Sequence, residues 1–225
     1  MNKKRENPFI EISNIHNVGV DFVIEKLKNQ GEFESKTLTH RKILETTSDY
    51  LSTIIIKNEK LPKNIIQNIL INSKIVSYNK SIDKIFSIHN VPAELIAYAK
   101  EVEGLSNNLS PEIFLENLLR IEKKILESEC TAVEIQYPLL YVSIAIASLK
   151  YWRDKKLNPD KYKRPTPLKP HIIITLSKAD AKGAIIGGGA EKILIHHITT
   201  ILVAGHSIIS SVEKYLDERK KQKEL

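Results

Sequence analysis

The chain has 225 residues, and 42% of them are hydrophobic, which is enough to bury a core and excludes a globally disordered protein. Its single cysteine excludes an intramolecular disulfide. No apolar signal core follows the basic N-terminus, so we expect a cytoplasmic location. The net charge of +7 is spread over most of the chain, as on an ordinary solvated surface, although it would also suit an anionic partner.

The N-terminal part of the chain is predicted to be a helical body. We expect a flexible lead over 1–13 and helices over 14–157. The first helix is predicted to begin near Asn17, because this side chain can accept hydrogen bonds from the free N–H groups of a first turn. It is predicted to end before Gly31, since glycine suits the left-handed residue that follows a helix. A second amphipathic helix is predicted over 39–58.

A short repeat indicates an internal duplication. The tetrapeptide Ile-His-Asn-Val occurs at 15–18 and again at 88–91, 73 residues later. At the same spacing Gly31 aligns with Gly104. The alternative is that capped amphipathic helices resemble one another, and either interpretation predicts an all-α bundle of about six helices. The two predicted repeats are 15–80 and 88–153.

The last helix of the body is predicted to lie in the centre of the bundle, because residues 139–149 are apolar nearly all round. Thr131 and Glu134 have the spacing of a capping box, in which each side chain satisfies a backbone N–H of the other residue. Pro138 would either kink this helix or mark its start.

Prolines and cations dominate residues 158–171, which we predict to be a basic linker. The linker would separate the helical body from a C-terminal segment over 172–225. Within that region the aliphatic run 171–176 is expected to be a strand or an extended tether, and Asp180 is expected to cap the helix that follows. The rest of the segment is predicted to form a Gly-rich helical hairpin or one long helix.

Small residues recur four positions apart in this segment, Gly183 with Gly187 and Ala184 with Gly188. Each pair lines one face of a helix and would let another backbone come close. A glycine inside a helix costs about 1 kcal/mol, so close packing must recover that cost. The face would pack inside the fold, associate with another chain, or insert into a membrane. The predicted packing residues are Gly183, Ala184, Gly187, Gly188 and Gly205.

The apolar run 193–212 is long enough to span a bilayer. It carries three histidines, which are expensive at mid-membrane, so insertion would need a trigger such as histidine protonation. That alternative gives a membrane-active, membrane-peripheral protein. The same histidines lack the spacing of metal ligands, and we predict no metal site. The predicted pH-sensitive residues are His196, His197 and His206.

Cations are interleaved with Tyr151, Trp152 and Tyr162 over 150–169, a pattern that can bind single-stranded nucleic acid by charge and stacking. No recognised nucleic-acid module surrounds the stretch, so this function is an alternative rather than the leading hypothesis. The predicted contacts are Lys150, Arg153, Lys155, Lys156, Lys163 and Arg164.

Four short motifs resemble a group of uncharacterised bacterial helical proteins. The matching positions are Asn7-Pro8, His16-Asn17, Tyr151-Trp152 and Lys178-Ala179-Asp180, the last followed by a Gly/Ala-rich apolar segment. The resemblance implies a helical fold over most of the chain and brings no known activity or catalytic residue. The Gly-rich end is also similar to the hydrophobic segments of small bacteriocin peptides, from which this chain differs by its long helical body and its charged tail.

The sequence contains no phosphate-binding, nucleophile-elbow or metal-ligand motif, so we expect no cofactor and no catalytic residue. The leading hypothesis is a non-enzymatic interaction protein whose C-terminal Gly-rich segment associates with itself or with a protein partner. A small-molecule substrate is the partner class that the sequence favours least.

Overall fold

The computed structural model describes residue 5 and residues 7–32, 39–54, 60–72, 81–87, 91–157, 168–188 and 196–223, without the side chains of 87, 156, 157, 188, 196–198, 222 and 223. Over these ranges the chain forms nine helices and no strand, which confirms the predicted all-α fold. The helices are α1 (Ile10–Asn29), α2 (His40–Leu51), α3 (Lys63–Asn72), α4 (Ile82–Ser87), α5 (Ala93–Gly104), α6 (Pro111–Glu127), α7 (Gln136–Leu157), α8 (Pro170–Gly188) and α9 (His196–Lys223).

Helices α7, α8 and α9 form the centre of the bundle. Helix α8 packs along α7 and along α9, and α1 lies across α7 and α9. Helices α2 and α3 cover α9, whereas α5 and α6 cover α7. Residues 139–149 of α7 are buried except for the half-buried Ala147, which confirms the predicted central helix. A helix that is apolar nearly all round has to be shielded from water on every side, and the helices packed around α7 shield it.

The first helix begins at Ile10, not near Asn17, and the predicted flexible lead is wrong for residues 7–13. Asn7 organises the entry to the helix, because its Oδ1 accepts a hydrogen bond from the Phe9 N–H at 2.9 Å. Asn17 therefore lies in the helix interior and caps nothing.

Helix α1 ends as predicted. Gly31 follows it with a φ of 68°, in the left-handed region that glycine tolerates. The Gly31 N–H donates to the Lys28 carbonyl at 2.9 Å, and the Glu32 N–H donates to the Leu27 carbonyl at 3.0 Å. These two bonds form a Schellman motif, which satisfies carbonyls that a helix end leaves unpaired.

The two copies of the Ile-His-Asn-Val tetrapeptide lie in different local structure. Residues 15–18 are inside α1, whereas Val91 precedes α5 and residues 88–90 lie outside the described ranges. Gly104 is the last residue of α5 and lacks the positive φ of Gly31. Helix α2 has 12 residues, and its predicted counterpart α6 has 17. Although these local features differ, the start of α3 and the start of α7 are 73 residues apart, and α2 shifted by 73 falls within α6, so the internal duplication stays a prediction.

The predicted capping box before α7 is confirmed. The Thr131 N–H donates to Glu134 Oε2 at 2.7 Å, and the Glu134 N–H donates to Thr131 Oγ1 at 3.3 Å. Helix α7 then starts at Gln136, so Pro138 lies in its first turn, where a missing N–H breaks no helical hydrogen bond. Of the two outcomes predicted for Pro138, the helix start is the one that the structure adopts.

The start of α8 corrects two predictions. Helix α8 begins at Pro170, so residues 171–176 are helical rather than a strand or an extended tether. Proline suits this first helical position, and the aliphatic run behind it is buried by α7 and α9. Asp180 lies in the middle of α8 and is not its cap. Residues 158–167 of the predicted linker are outside the described part of the chain.

Helices α8 and α9 form a C-terminal hairpin whose backbones touch. A Cβ added at Gly183 would lie 2.7 Å from the His206 carbonyl oxygen. A Cβ added at Gly187 would lie 2.3 Å from the Leu202 carbonyl oxygen. As residue numbers increase along α8, the residues contacted on α9 have decreasing numbers, so the two helices are antiparallel. The glycine face is covered by a helix of the same chain.

The Gly187→Ala variant should lose about 2 kcal/mol of unfolding free energy, because the new Cβ has no space beside the main chain of α9. Urea unfolding measures this loss. Gly104→Ala is the matched control, since nothing lies within 4 Å of a Cβ at the end of α5. A Gly187→Ala protein as stable as the control would contradict the backbone contact.

Asp49 in the last turn of α2 connects three helices. Its Oδ2 accepts a hydrogen bond from Lys26 Nζ of α1 at 2.6 Å, and its Oδ1 pairs with Lys63 of α3. Burial acts to raise the pKa of this carboxyl, but the hydrogen bonds and charges of the two lysines outweigh burial and lower the pKa from 3.8.

Helix α2 itself ends at Leu51, before the predicted end near residue 58.

The Asp49→Asn variant should lower the unfolding free energy at neutral pH by about 1 kcal/mol, the scale of two partly exposed ion pairs. A lowered pKa means that this stabilisation is present above the unfolded-state pKa near 3.8 and is lost as the pH falls through the folded-state pKa. Urea unfolding of both proteins across the acid range should show the two curves converging. A difference that persists at the lowest pH would show that the carboxylate charge is not its source.

Candidate functional site, a buried polar centre

Polar side chains meet inside the apolar core where α1, α7, α8 and α9 come together. None of these side chains has exposed surface, and buried polar groups are costly unless they are hydrogen-bonded. We call this group the polar centre. Its members are His16 of α1, Ser148 and Trp152 of α7, Asp180 of α8, and Ser207 and Ser211 of α9.

Asp180 is the acceptor of the polar centre. Its Oδ2 accepts hydrogen bonds from Ser148 Oγ and, at 3.1 Å, from Ser211 Oγ. Trp152 Nε1 donates to the same oxygen at 3.4 Å. The other oxygen, Oδ1, has no hydrogen-bond partner among the described residues. The carboxyl group is thus held through one oxygen only, by donors from two helices.

His16 approaches Asp180 from α1. Its Nε2 lies 3.4 Å from Asp180 Oδ2, and its Nδ1 lies 2.9 Å from Asn17 Oδ1. Both ring nitrogens of His16 thus face oxygen atoms, and Nε2 makes no hydrogen bond among the described residues.

Two serines of α9 bond to the backbone of α8 at the same level. Ser207 Oγ donates to the Asp180 carbonyl at 2.9 Å, and Ser210 Oγ donates to the Ala179 carbonyl at 3.0 Å. A carbonyl inside a helix still has a second lone pair for such a bond. Because Gly183 lies one turn further along, the α9 backbone can come close enough for short serine side chains to reach α8.

Lys178 connects the same stretch of α8 to the end of α5. Its Nζ donates to the Glu103 carbonyl at 3.0 Å, the Leu105 carbonyl at 2.6 Å and Asn107 Oδ1 at 3.0 Å. A cation suits the negative end of the α5 dipole. Burial lowers the pKa of the Lys178 ammonium from 10.5, while the charge of Glu103 acts to raise it. Lys178 is therefore a half-buried anchor rather than a solvated surface lysine.

The nucleic-acid contact predicted at Lys155 is wrong, because this lysine is buried and forms an ion pair within the chain. Lys155 is 3% exposed, and its Nζ pairs with Asp21 of α1. Tyr151 OH donates to the same carboxylate oxygen at 2.8 Å. Trp152 is buried and stacks on Tyr215 of α9 with ring centroids 5.1 Å apart. Lys155 and Trp152 thus have no surface for a phosphate or a base.

The residues predicted to pack in the C-terminal segment lie in the core where they are described. Ala184 is buried in a small apolar cluster with side chains of α7 and α9. A Cβ added at Gly205 would lie 2.6 Å from Leu70 Cδ2, so this glycine lets a side chain of α3 approach α9. His206, one of the predicted pH-sensitive residues, is 2% exposed.

Other predicted residues lie at the surface or outside the description. Lys150 is exposed and Arg153 is half-buried. Across the described helices, none is long and apolar enough to cross a membrane, and the predicted span 193–212 begins outside them. Not described are Lys163 and Arg164, and the side chains of Lys156, Gly188, His196 and His197.

The polar centre has the residue types of a Ser-His-Asp site but not its geometry. In such a site the histidine lies between the carboxylate and the serine and takes the hydroxyl proton. Here Ser148 donates directly to Asp180, and the second nitrogen of His16 bonds to Asn17. In the described part of the chain, no group of three His, Cys, Asp or Glu residues is placed to hold a metal ion. The arrangement joins helices and is not set for nucleophilic attack.

The sequence prediction missed the polar centre because it treated Asp180 and Asn17 as helix caps. The available signal was an acidic residue between aliphatic residues of one helix, which needs buried donors. His16 gives a similar signal, since Gly19, Val20 and Val23 are on the same face of α1. Neither signal identifies the partner helix.

Comparisons with known proteins assign nothing further to the site. No family model, curated protein or solved structure matches this chain. The role of the polar centre therefore rests on its burial, hydrogen bonds and charge.

The Ser148→Ala variant should lose about 2 kcal/mol of unfolding free energy, because it removes a donor from a buried carboxyl group. Ser177→Ala is the matched control on α8. Ser177 is equally buried, but among the described residues its hydroxyl bonds to the Ile173 carbonyl of its own helix, so its loss should cost no more than about 0.5 kcal/mol. Equal losses of unfolding free energy in the two variants would show that the hydrogen bond to Asp180 contributes no more to stability than a bond within one helix.

Proposed function

We propose that this chain is a non-enzymatic interaction protein that binds a protein partner or a second copy of itself in a groove between α2 and α3. The sequence suggested the Gly-rich segment as the association surface. In the present proposal that segment is part of the core, since α9 of the same chain covers Gly183 and Gly187. The observation that supports binding elsewhere is the groove.

The groove combines a concave shape with exposed apolar surface. Its volume is about 340 Å³. Ile71 near the end of α3 is 52% exposed there, beside the buried Leu44 of α2. The residues that line it are His40, Arg41, Leu44, Glu45, Gln67 and Ile71.

Polar and charged side chains also line the groove beside this apolar surface. His40 Nδ1 contacts Glu213 Oε1 of α9, and Arg41 Nε donates to Glu45 Oε1 at 3.0 Å. An apolar centre with a polar rim is the usual form of a protein interface, in which an apolar side chain of the partner fills the concave part. Because these rim groups already contact one another within the chain, the apolar centre is the main source of binding free energy.

A photoreactive amino acid at position 71 tests the proposal in the cells that produce the protein. We expect a covalent adduct after irradiation, and mass spectrometry separates the two occupants, because an adduct of twice the chain mass is a second copy. The matched control is the same substitution at Ile113 of α6, which is 48% exposed outside the groove. Once the occupant is known, Ile71→Glu should weaken its binding by about tenfold or more, since a carboxylate would be buried.

Absence of an adduct at position 71, or equal adducts at both positions, would show that the groove is not a specific binding surface. Unchanged affinity of the Ile71→Glu protein would also contradict the proposal.

A further inference from the structure

We propose that residues 7–19 form a lid over the polar centre, and that this lid opens while the rest of α1 stays docked. The lid comprises the entry to α1 and its N-terminal half. This inference does not depend on the groove between α2 and α3, because the lid contributes no residue to it.

The two halves of α1 are buried in different ways. In the second half, Val20, Val23 and Leu27 have no exposed surface. In the lid, Ile10 is 65% exposed and Val18 is 59% exposed. The buried helical residues of the lid are Ser13, His16 and Gly19. The burial of large apolar side chains, which contributes most to docking a helix, is thus concentrated beyond the lid.

Polar contacts hold the lid closed together with the half-buried apolar side chains of Phe9, Ile12 and Ile15. At its start, Asn7 Nδ2 donates to Ser143 Oγ at 2.7 Å and to Glu122 Oε1 at 2.6 Å. In its second half, His16 Nε2 lies 3.4 Å from Asp180 Oδ2. Water can replace each of these partners when the lid opens, so the net cost of breaking them is smaller than that of exposing an apolar face.

Beneath the lid are the carboxyl group of Asp180 and a small apolar cluster. Phe9 and Ile12, both half-buried, pack on this cluster, and Tyr50 OH donates to the Ile15 carbonyl at 2.9 Å. Opening would break these contacts too, and it would give the Asp180 carboxyl group access to solvent. The cluster consists of Leu140, Ile144, Ala184 and Val203.

Gly19 is where the lid meets the rest of the helix. A Cβ there would lie 2.3 Å from Ile208 Cδ1 and 2.6 Å from the Tyr50 ring, so the position has to be glycine for close packing. Glycine also weakens a helix locally, because it loses more backbone freedom on folding than any other residue. The change from polar to apolar docking therefore coincides with the weakest point of the α1 backbone.

Native-state hydrogen exchange of the full chain tests the lid. The amides of 14–19 are all within reach of helical carbonyl partners, as are those of 20–29. We expect the first group to exchange about tenfold or more faster than the second, because local opening needs less free energy than release of the whole helix. Equal protection along α1 would overturn the proposal, since it would show that the helix opens as one unit.

The Asn7→Ala variant tests whether the polar contacts at the start of the lid control its opening. It removes the outer contacts of the lid and should accelerate exchange of 14–19 by about tenfold while leaving 20–29 unchanged. Asn117→Ala is the matched control, because the Asn117 side chain bonds within its own helix, donating to the Ile113 carbonyl and accepting from Arg120. Equal acceleration of both groups by Asn7→Ala would mean global destabilisation and would also overturn the lid.

Discussion

A carboxyl group without any exposed surface in the middle of α8 is the constraint on which the rest of this fold depends. Asp180 needs hydrogen-bond donors inside the core, because the cost of burying a polar group is recovered only by bonding it. The donors come from α7 and α9, and His16 of α1 faces the same oxygen. These contacts require all four helices to meet at one level. Aliphatic contacts alone are less directional and would tolerate several arrangements.

The close contact of α8 and α9 serves the same requirement. Gly183 and Gly187 let the two main chains touch, and this proximity allows the short side chains of Ser207 and Ser210 to bond to carbonyls of α8. Longer residues at the glycine positions would separate the helices and break these bonds. Small residues and polar residues therefore act together in the hairpin, and the glycine face of α8 packs on α9 of the same chain.

The short motifs that are scattered along the sequence lie around this centre in the folded chain. Asn7 holds the lid, His16 and Asp180 face each other, and Trp152 donates to the Asp180 carboxyl. Lys178, two residues before Asp180, anchors the end of α5. Each motif thus contributes a polar group to a contact between helices. These contacts explain why the motifs contain polar residues. Binding to a partner, as proposed here, would use a different part of the molecule, so the core and the groove can be altered independently.

The sequence by itself determined the helical class, the central helix over 139–149, the left-handed Gly31 and the capping box of Thr131 and Glu134. These features depend on local propensity and on periodicity over a few turns, which a single segment carries. It misplaced the start of α1, the start of α8 and the role of Asp180, because an Asn or Asp near an apolar run looks like a cap until its neighbours are known. Only the tertiary structure decided that Lys155 pairs with Asp21, that Asp180 is buried beside His16, and that the Gly-rich face meets α9 of the same chain. Each of these contacts joins residues far apart in the chain, and the free energy of such a contact depends on burial and geometry that no local pattern records.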